Sequence, residues 1–447
     1  MSPRFESEQV DPSPLGKPLQ FEFSGKTAPT RFLKAAMTER ISSWHPTDLD
    51  ARGVPSDTLI NAYKHWGEGG FGVILTGNTM IEPDQLEAAG NPVIPRKASF
   101  SGERFSAFKK QADAAKAHGA LIVCQLSHPG RQTAKNLQPD PVSASDVQLE
   151  GNVMGMEFAK PHPATQDEIN RIIDGFAHAS EYLEKAGYDG VELHGAHGYL
   201  LAQFLSETTN QRTDKYGGSL ENRARLIIEI TQEIRKRTKP DFIVGIKLNS
   251  VEFQNKGFQP EEAKTLCQLL EQNRFDFVEL SGGTYESLAF EHKRESTKKR
   301  EAFFLDFADQ ITPHIKKTKS YITGGLKTAG AMVNALKSVD GVGLARPVCQ
   351  EFHLPLDILQ GKALGAIKQK IDIDNFGLTN VAAGSQIKQV GKEHEPIDLS
   401  DDSQVEAFTK DMGKWSEKMA NNEDGWNYGY IDFESAKVVP YAAPAQG

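Results

Sequence analysis

A chain of 447 residues carrying 51 lysines and arginines against 60 aspartates and glutamates has a net charge of -9 and a pI near 5.8. It lacks the concentrated positive field that a nucleic-acid or anionic-membrane partner requires. Its length supports a full hydrophobic core without disulfides or metals, and its three cysteines, Cys124, Cys267 and Cys349, show no C-x-x-C spacing for zinc or an iron–sulfur cluster. Buried thiols in a reducing, cytoplasmic compartment are expected: MSPRFESEQV lacks the apolar centre of a secretory signal, and no apolar run nears the ~18 residues of a membrane span.

In chain order, Leu15–Ala28 is punctuated by proline and glycine and is expected to form a hairpin closing the floor of the fold. Eight β-rich runs come next: Arg31–Thr38, Phe71–Gly77, Ala120–Leu126, Gly190–His194, Phe242–Asn249, Phe275–Ser281, Lys319–Thr323 and Gly341–Leu344. Helical patterns separate them at Ser56–Glu68, Glu103–His118, Gln166–Ala186, Leu220–Thr238, Pro260–Asn273, Phe303–Ile315 and Thr328–Lys337, with an eighth from Pro347 to about Ala363. Thr165 and Glu168 form a capping-box signature ahead of the third. Eight strand–helix units in succession predict an α/β chain folded as a (β/α)8 TIM barrel. The competing open sheet would need a G-x-G-x-x-G turn at its first helix, and none is present.

The barrel is expected to occupy 1–366, and 367–447 to form a C-terminal extension packed on the barrel or on a partner subunit. Its apolar stripe, Val405, Phe408, Met412, Trp415 and Met419, suits a helix lying on the barrel surface. Two loops, Ser127–Ala164 and Thr284–Arg300, are expected to shape substrate choice above the catalytic face.

Functional groups in such a barrel gather at the C-terminal strand ends. The fourth end carries His194, His197 and Tyr199, two imidazoles and a phenol able to grip an electron-rich oxygen and move a proton. Strand five, Val244–Asn249, alternates so that Lys247 points inward, where it needs an anionic partner; Glu192, also inward, is one candidate. Gly324 and Gly325 end strand seven before a helix, and Ala345 and Arg346 end strand eight, together suiting a phosphate group. The remaining ends, with Ala36, Met37, Thr38, Gly77 and Gln125, are small or hydrogen-bonding and suit a flat heteroaromatic ring.

These residues resemble the Old Yellow Enzyme family of FMN-dependent oxidoreductases. The resemblance spans roughly Leu15–Ala363 and is most specific in HGAHGYLLAQFLSETTNQRTDKYGGSLENRAR, with AAMT, CQLSHPGR and GLARP in matching order. It implies bound FMN, lined by Ala36, Met37 and Thr38, closely approached at Gly77, held at its pyrimidine edge by Gln125, contacted also by His194, and faced by Lys247. Gly324, Gly325, Ala345 and Arg346 would bind its phosphate. NAD(P)H would reduce the flavin and leave. An enone or enal would then be held at its carbonyl by His194 and His197, accept hydride at its β-carbon and take a proton from Tyr199. Lysine at 247 replaces the arginine of the best-known branch, and Ala36 replaces a frequent proline. A homo-oligomer is left open. Two other chemistries use the same residues: a Schiff-base aldolase with Lys247 as nucleophile, and a metal-dependent hydrolase with Glu192, His194 and His197 as ligands.

Overall fold

The computed structural model describes residues 2–151, 155–249, 260–281 and 308–442. Apolar runs form eight parallel strands: β1 Phe32–Lys34, β2 Val73–Leu75, β3 Leu121–Ser127, β4 Gly190–Gly195, β5 Ile243–Asn249, β6 Phe277–Ser281, β7 Lys319–Thr323 and β8 Gly341–Leu344. Each pairs with the next, and β8 returns to β1 with Val342 opposite Phe32, closing the barrel. β1 is shorter than its apolar run. Ala35 still donates to Leu344 of β8 (2.8 Å), but the amides of Ala36, Met37 and Thr38 make no ladder bond among the described residues.

Outside lie α1 Asp57–Gly67, α2 Gly102–Lys116, α3 Gln166–Lys185, α4 Arg225–Arg237, α5 Pro260–Gln272 and α6 Ala329–Ala335. The Thr165–Glu168 box caps α3, the Glu168 amide donating to Thr165 Oγ1 (3.3 Å) and the Thr165 amide to Glu168 Oε2 (2.9 Å). The helix expected over Leu220–Thr238 is interrupted at Ala224. The eighth divides into Pro347–Gln350 and Leu354–Leu359; Pro355 has no N–H with which to carry one helix through Glu351. Thr284–Arg300 and the start of Phe303–Ile315 lie outside the described residues.

Inside the ring, Leu33, Leu75, Val123, Ile243, Phe277 and Tyr321 pack on Leu19, Phe21 and Ala28. Those three belong to the floor hairpin, where Leu19–Gln20 pairs antiparallel with Thr27–Ala28. Three aspartates fasten this end. Asp189, Asp276 and Asp340 stand just before β4, β6 and β8, and each accepts an amide from the preceding strand: Ile122 (3.0 Å), Val244 (2.9 Å) and Ser320 (2.9 Å). Buried amides at a strand start need such acceptors. Asp276 also accepts Ser24 N of the hairpin (2.8 Å) and Arg235 of α4 (3.0 Å).

The extension adds α7 Phe376–Gly391 and α8 Asp402–Ala420. α7 lies against α1. Asn61 donates to the Gly391 carbonyl (3.1 Å), and the Thr58 carbonyl sits 2.2 Å from where a Gly391 Cβ would be. The apolar stripe of α8 does not lie on the barrel as its pattern suggests. Val405, Phe408, Met412 and Trp415 pack on Ile371, Leu378, Ala382 and Ile397, all within the extension. The reason is α7, which turns Ala383, Ile387 and Val390 to the barrel and leaves its other side for α8. All three cysteines are buried and unpaired, and no described helix is long and apolar enough to cross a membrane.

Asp276→Ala strands two buried amides at once and removes the carboxylate that Arg235 bonds alongside its two backbone carbonyls. It is expected to lower the unfolding free energy by about 3 kcal/mol, measured by urea denaturation; a change under about 1 kcal/mol would show that water replaces the carboxylate.

Candidate active site

β5 sets the electrostatics. Its alternation turns Lys247 inward, 3% exposed, and the parallel register places Glu279 of β6 beside it, with Nζ 2.9 Å from Glu279 Oε1. The partner is therefore Glu279 rather than Glu192, which lies one step lower, in register with Gly245, and accepts from Gln125 Nε2 (2.8 Å). Burial, reinforced by the nearby Glu279, holds Glu192 well above the ordinary carboxyl range, and Lys247 only partly offsets this. Glu192 Oε2 and Glu279 Oε2 lack partners among the described residues, and the two carboxyls and the Lys247 ammonium form one compact buried cluster.

At the end of β4, His194 and His197 lie with ring centroids 5.1 Å apart and nearly perpendicular. The Tyr199 ring is edge-on to His194 at 4.7 Å and packs against Leu149 and Phe158 of the loop after β3. His197 has φ 58, a left-handed conformation uncommon for a side-chain-bearing residue. Gln132 Nε2 bonds its carbonyl (3.1 Å), and its Nε2 lies 3.2 Å from Ser281 Oγ. Burial, then the neighbouring His197 and Lys247 charges, drives the His194 pKa well below the ordinary imidazole range; burial and Lys247 push that of His197 down to about 3. Both rings are neutral at neutral pH. His194 Nδ1 accepts the Ala196 amide (3.4 Å), which leaves the proton on Nε2 as a donor.

At the ends of β7 and β8, Gly324 (φ 139) and Gly325 (φ 75) adopt backbone conformations that side chains disfavour, which suits a nest of amides for an anion. Arg346 Nη1 donates to Thr379 Oγ1 of α7 (2.6 Å), so the extension holds this guanidinium. Thr323 Oγ1 is buried without a partner among the described residues.

A cavity of about 1330 Å³ brings together Ala36, Met37, Thr38, Gln125, His194, His197, Tyr199, Lys247, Gly324, Gly325, Ala345 and Arg346. Gly77 stands apart. Its amide donates to Glu39 Oε1 (2.9 Å), and an added Cβ would meet Glu39 Oε2 at 2.1 Å and the Met37 carbonyl at 2.4 Å. Its missing side chain therefore lets the ends of β1 and β2 close on the buried Glu39. Glu279 was missed in the sequence although Phe277–Ser281 alternates as plainly as β5; Thr379 gave no local signal, and Trp415 and Met419 were legible only as part of an apolar helix stripe, not as cavity lining.

The donor set fits FMN: amides at Ala36–Thr38 without partners among the described residues, an amide side chain at Gln125, an inward cation at Lys247, and a glycine nest with a guanidinium for phosphate. The family model described as NADH:flavin oxidoreductase / NADH oxidase matches residues 14–361. The chain belongs to this family. It is a flavin oxidoreductase of the Old Yellow Enzyme type, with FMN as cofactor and a nicotinamide dinucleotide as co-substrate. It is 54% identical over 415 residues to the NADH-dependent flavin oxidoreductase nadA of Aspergillus parasiticus, covering 92% of this chain and 94% of that one. With the NADH-dependent flavin oxidoreductase iccE of Talaromyces variabilis it shares 35% over 365 residues, 75% of this chain and 84% of the relative. Among solved structures, morphinone reductase in complex with tetrahydroNAD superposes with a TM-score of 0.62 at 25% identity, over 79% of this chain and 92% of the other.

The rival chemistries fit less well. Among the described residues no three His, Cys, Asp or Glu side chains are grouped to hold a metal ion. Lys247, ion-paired at 2.9 Å, is placed as a fixed cation rather than as a free amine.

With the pKa of His197 near 3 and that of His194 well below its ordinary value, both imidazoles stay neutral from about pH 6.5 to 8. Cyclohexanone binding, followed by flavin absorption, should be flat across that window; a tenfold change through about pH 6.5 would reveal a titrating imidazole. Thr379→Val removes the hydroxyl that holds the Arg346 guanidinium and is expected to weaken FMN retention about fivefold, about 1 kcal/mol, read from flavin fluorescence on dilution.

Proposed function

We propose that this protein reduces the activated C=C bond of α,β-unsaturated carbonyl compounds with NADH, in two half-reactions at one site. The observation that carries this reading is the convergence of two neutral imidazoles and a phenol on the cavity that suits the flavin. Bound FMN supplies hydride transfer in both directions. His194 and His197 donate hydrogen bonds to the substrate's carbonyl oxygen and stabilise the negative charge that grows there. Remaining neutral, they keep their protons, so the proton for the α-carbon comes from Tyr199. Lys247 supplies positive charge beside the ring system, tempered by Glu279.

The alternating use of one site is a matter of space. Nicotinamide and enone each need the same planar position beside the two histidines, so the oxidised dinucleotide leaves before the enone enters. NADH rather than NADPH is proposed because the nadA and iccE relatives are named for NADH. We also propose that residues 1–366 form the FMN barrel and 367–447 an accessory unit, that the phosphate nest is Gly324, Gly325, Ala345 and Arg346, and that the protein works in the cytosol, where three buried thiols persist.

Tyr199→Phe is expected to slow reoxidation of the reduced flavin by cyclohexenone about 100-fold and to leave its reduction by NADH within about twofold. Stopped-flow absorption of the two half-reactions separates these effects. An equal loss in both would remove Tyr199 as the proton donor, and reduced flavin that no enone reoxidises would overturn the enone reading.

A further inference from the structure

The extension reaches past the barrel helices and back to the reaction cavity, and the contacts run residue by residue. Tyr199 packs on Phe158, which bridges Ala134. One turn on, the Leu137 amide bonds Ala134 O (2.9 Å), and the Leu137 side chain joins Trp44 in a separate apolar cluster. Trp44 Nε1 then donates to the carbonyl of Gly425, beyond α8 (2.8 Å). That segment is stiff. Asn422 and Asn427 exchange two hydrogen bonds (2.7 and 2.8 Å), and Trp415 Nε1 holds the Gly429 carbonyl (3.1 Å).

The result is a wall in which Trp415 and Met419 of the extension face the same cavity as Trp44, Leu137 and Met156 of the barrel loops. These five side chains are apolar. Arg40 and Glu87 pair at 2.7 Å on the same lining, and Glu423 and Asp424 of the extension add two carboxylates to it. The cavity of about 1330 Å³ runs from the groups that suit FMN to Trp415 and Met419, so a substrate extended by further rings beyond a one-ring enone would reach toward this wall.

Resting on the enone reading above, we infer that the C-terminal extension is the specificity wall for the oxidising substrate. Trp415 and Met419 select neutral, planar, multi-ring apolar ketones over small or acidic ones. A flat apolar ring system laid against two indoles and two thioethers gains both buried area and contact with polarizable sulfur.

The test uses the FMN-loaded full chain and two unreactive probes, cyclohexanone and a saturated tetracyclic steroid 3-ketone, titrated against the flavin absorption spectrum. The wild type should bind the steroid at least about tenfold more tightly. Met419→Trp, which fills the space before the wall, should erase that preference while leaving cyclohexanone affinity and the rate of bleaching by NADH within about twofold. Met419→Phe, a smaller intrusion, should give the same ordering with a smaller loss and serves if the tryptophan variant fails to fold. No wild-type preference for the steroid, equal weakening of both ketones, or slowed NADH bleaching in step with steroid loss would overturn the proposal, the last by assigning the wall to the dinucleotide. Because the readout is binding, a size-selective loss supports the wall even where no enone reoxidises the flavin, an outcome that would sink only the reading on which it rests.

Discussion

An ammonium group enclosed by a barrel must be neutralised or expelled, and the arrangement around Lys247 obeys that constraint. Removing a charge from water costs several kcal/mol, recovered only by a partner in good geometry. Glu279 meets this requirement from the neighbouring strand at 2.9 Å. A second inward carboxyl, Glu192, accepts from Gln125, and burial together with the nearby Glu279 raises its pKa, which opposes an excess of negative charge in the interior. Lysine in place of a guanidinium suits this balance, since a compact ammonium can be held by one carboxylate, whereas a planar fork would call for two parallel acceptors.

The same cation governs the histidines. Lys247 lies in register with His194, and its charge joins burial in keeping both imidazoles unprotonated. Protonated rings would bind carbonyl oxygen more strongly but would also pair with any anion entering the cavity. Neutral donors discriminate by geometry instead. The left-handed backbone at His197, held by Gln132 and Ser281, turns its ring nearly perpendicular to that of His194. Backbone conformations of this kind persist where surrounding contacts over-determine them.

Much of this was legible in the sequence because period-two alternation and strand-end position are local signals. They located all eight strands, the floor hairpin, the inward lysine and the His194–His197–Tyr199 group. The missed features depend on lateral register, which no window of sequence contains. Glu279 is level with Lys247 only because β5 and β6 align Gly245 with Phe277. At Gly77 an added Cβ would meet Glu39 and the Met37 carbonyl across the β1–β2 ends, a contact between strands that the local sequence does not contain. The α8 stripe has a true amphipathic period, yet the pattern cannot say which surface it meets, and α7 had already taken the barrel side.

The two ends of the barrel thus obey different constraints. At the floor, Asp189, Asp276 and Asp340 each close one strand start onto the next, and Asp276 ties in the hairpin and α4, so a change in any one disturbs buried amides throughout that layer. The opposite end is assembled from separate pieces: the loop after β3, the strand ends, and an extension with its own small core. Such a unit can vary its outer residues without disturbing the barrel, provided it keeps its α7 seam with α1 and the Thr379–Arg346 bond. That bond ties α7, which carries Thr379, to the end of β8, while α8, packed on α7, brings Trp415 to the same cavity, so one small unit touches the cavity from both of its helices.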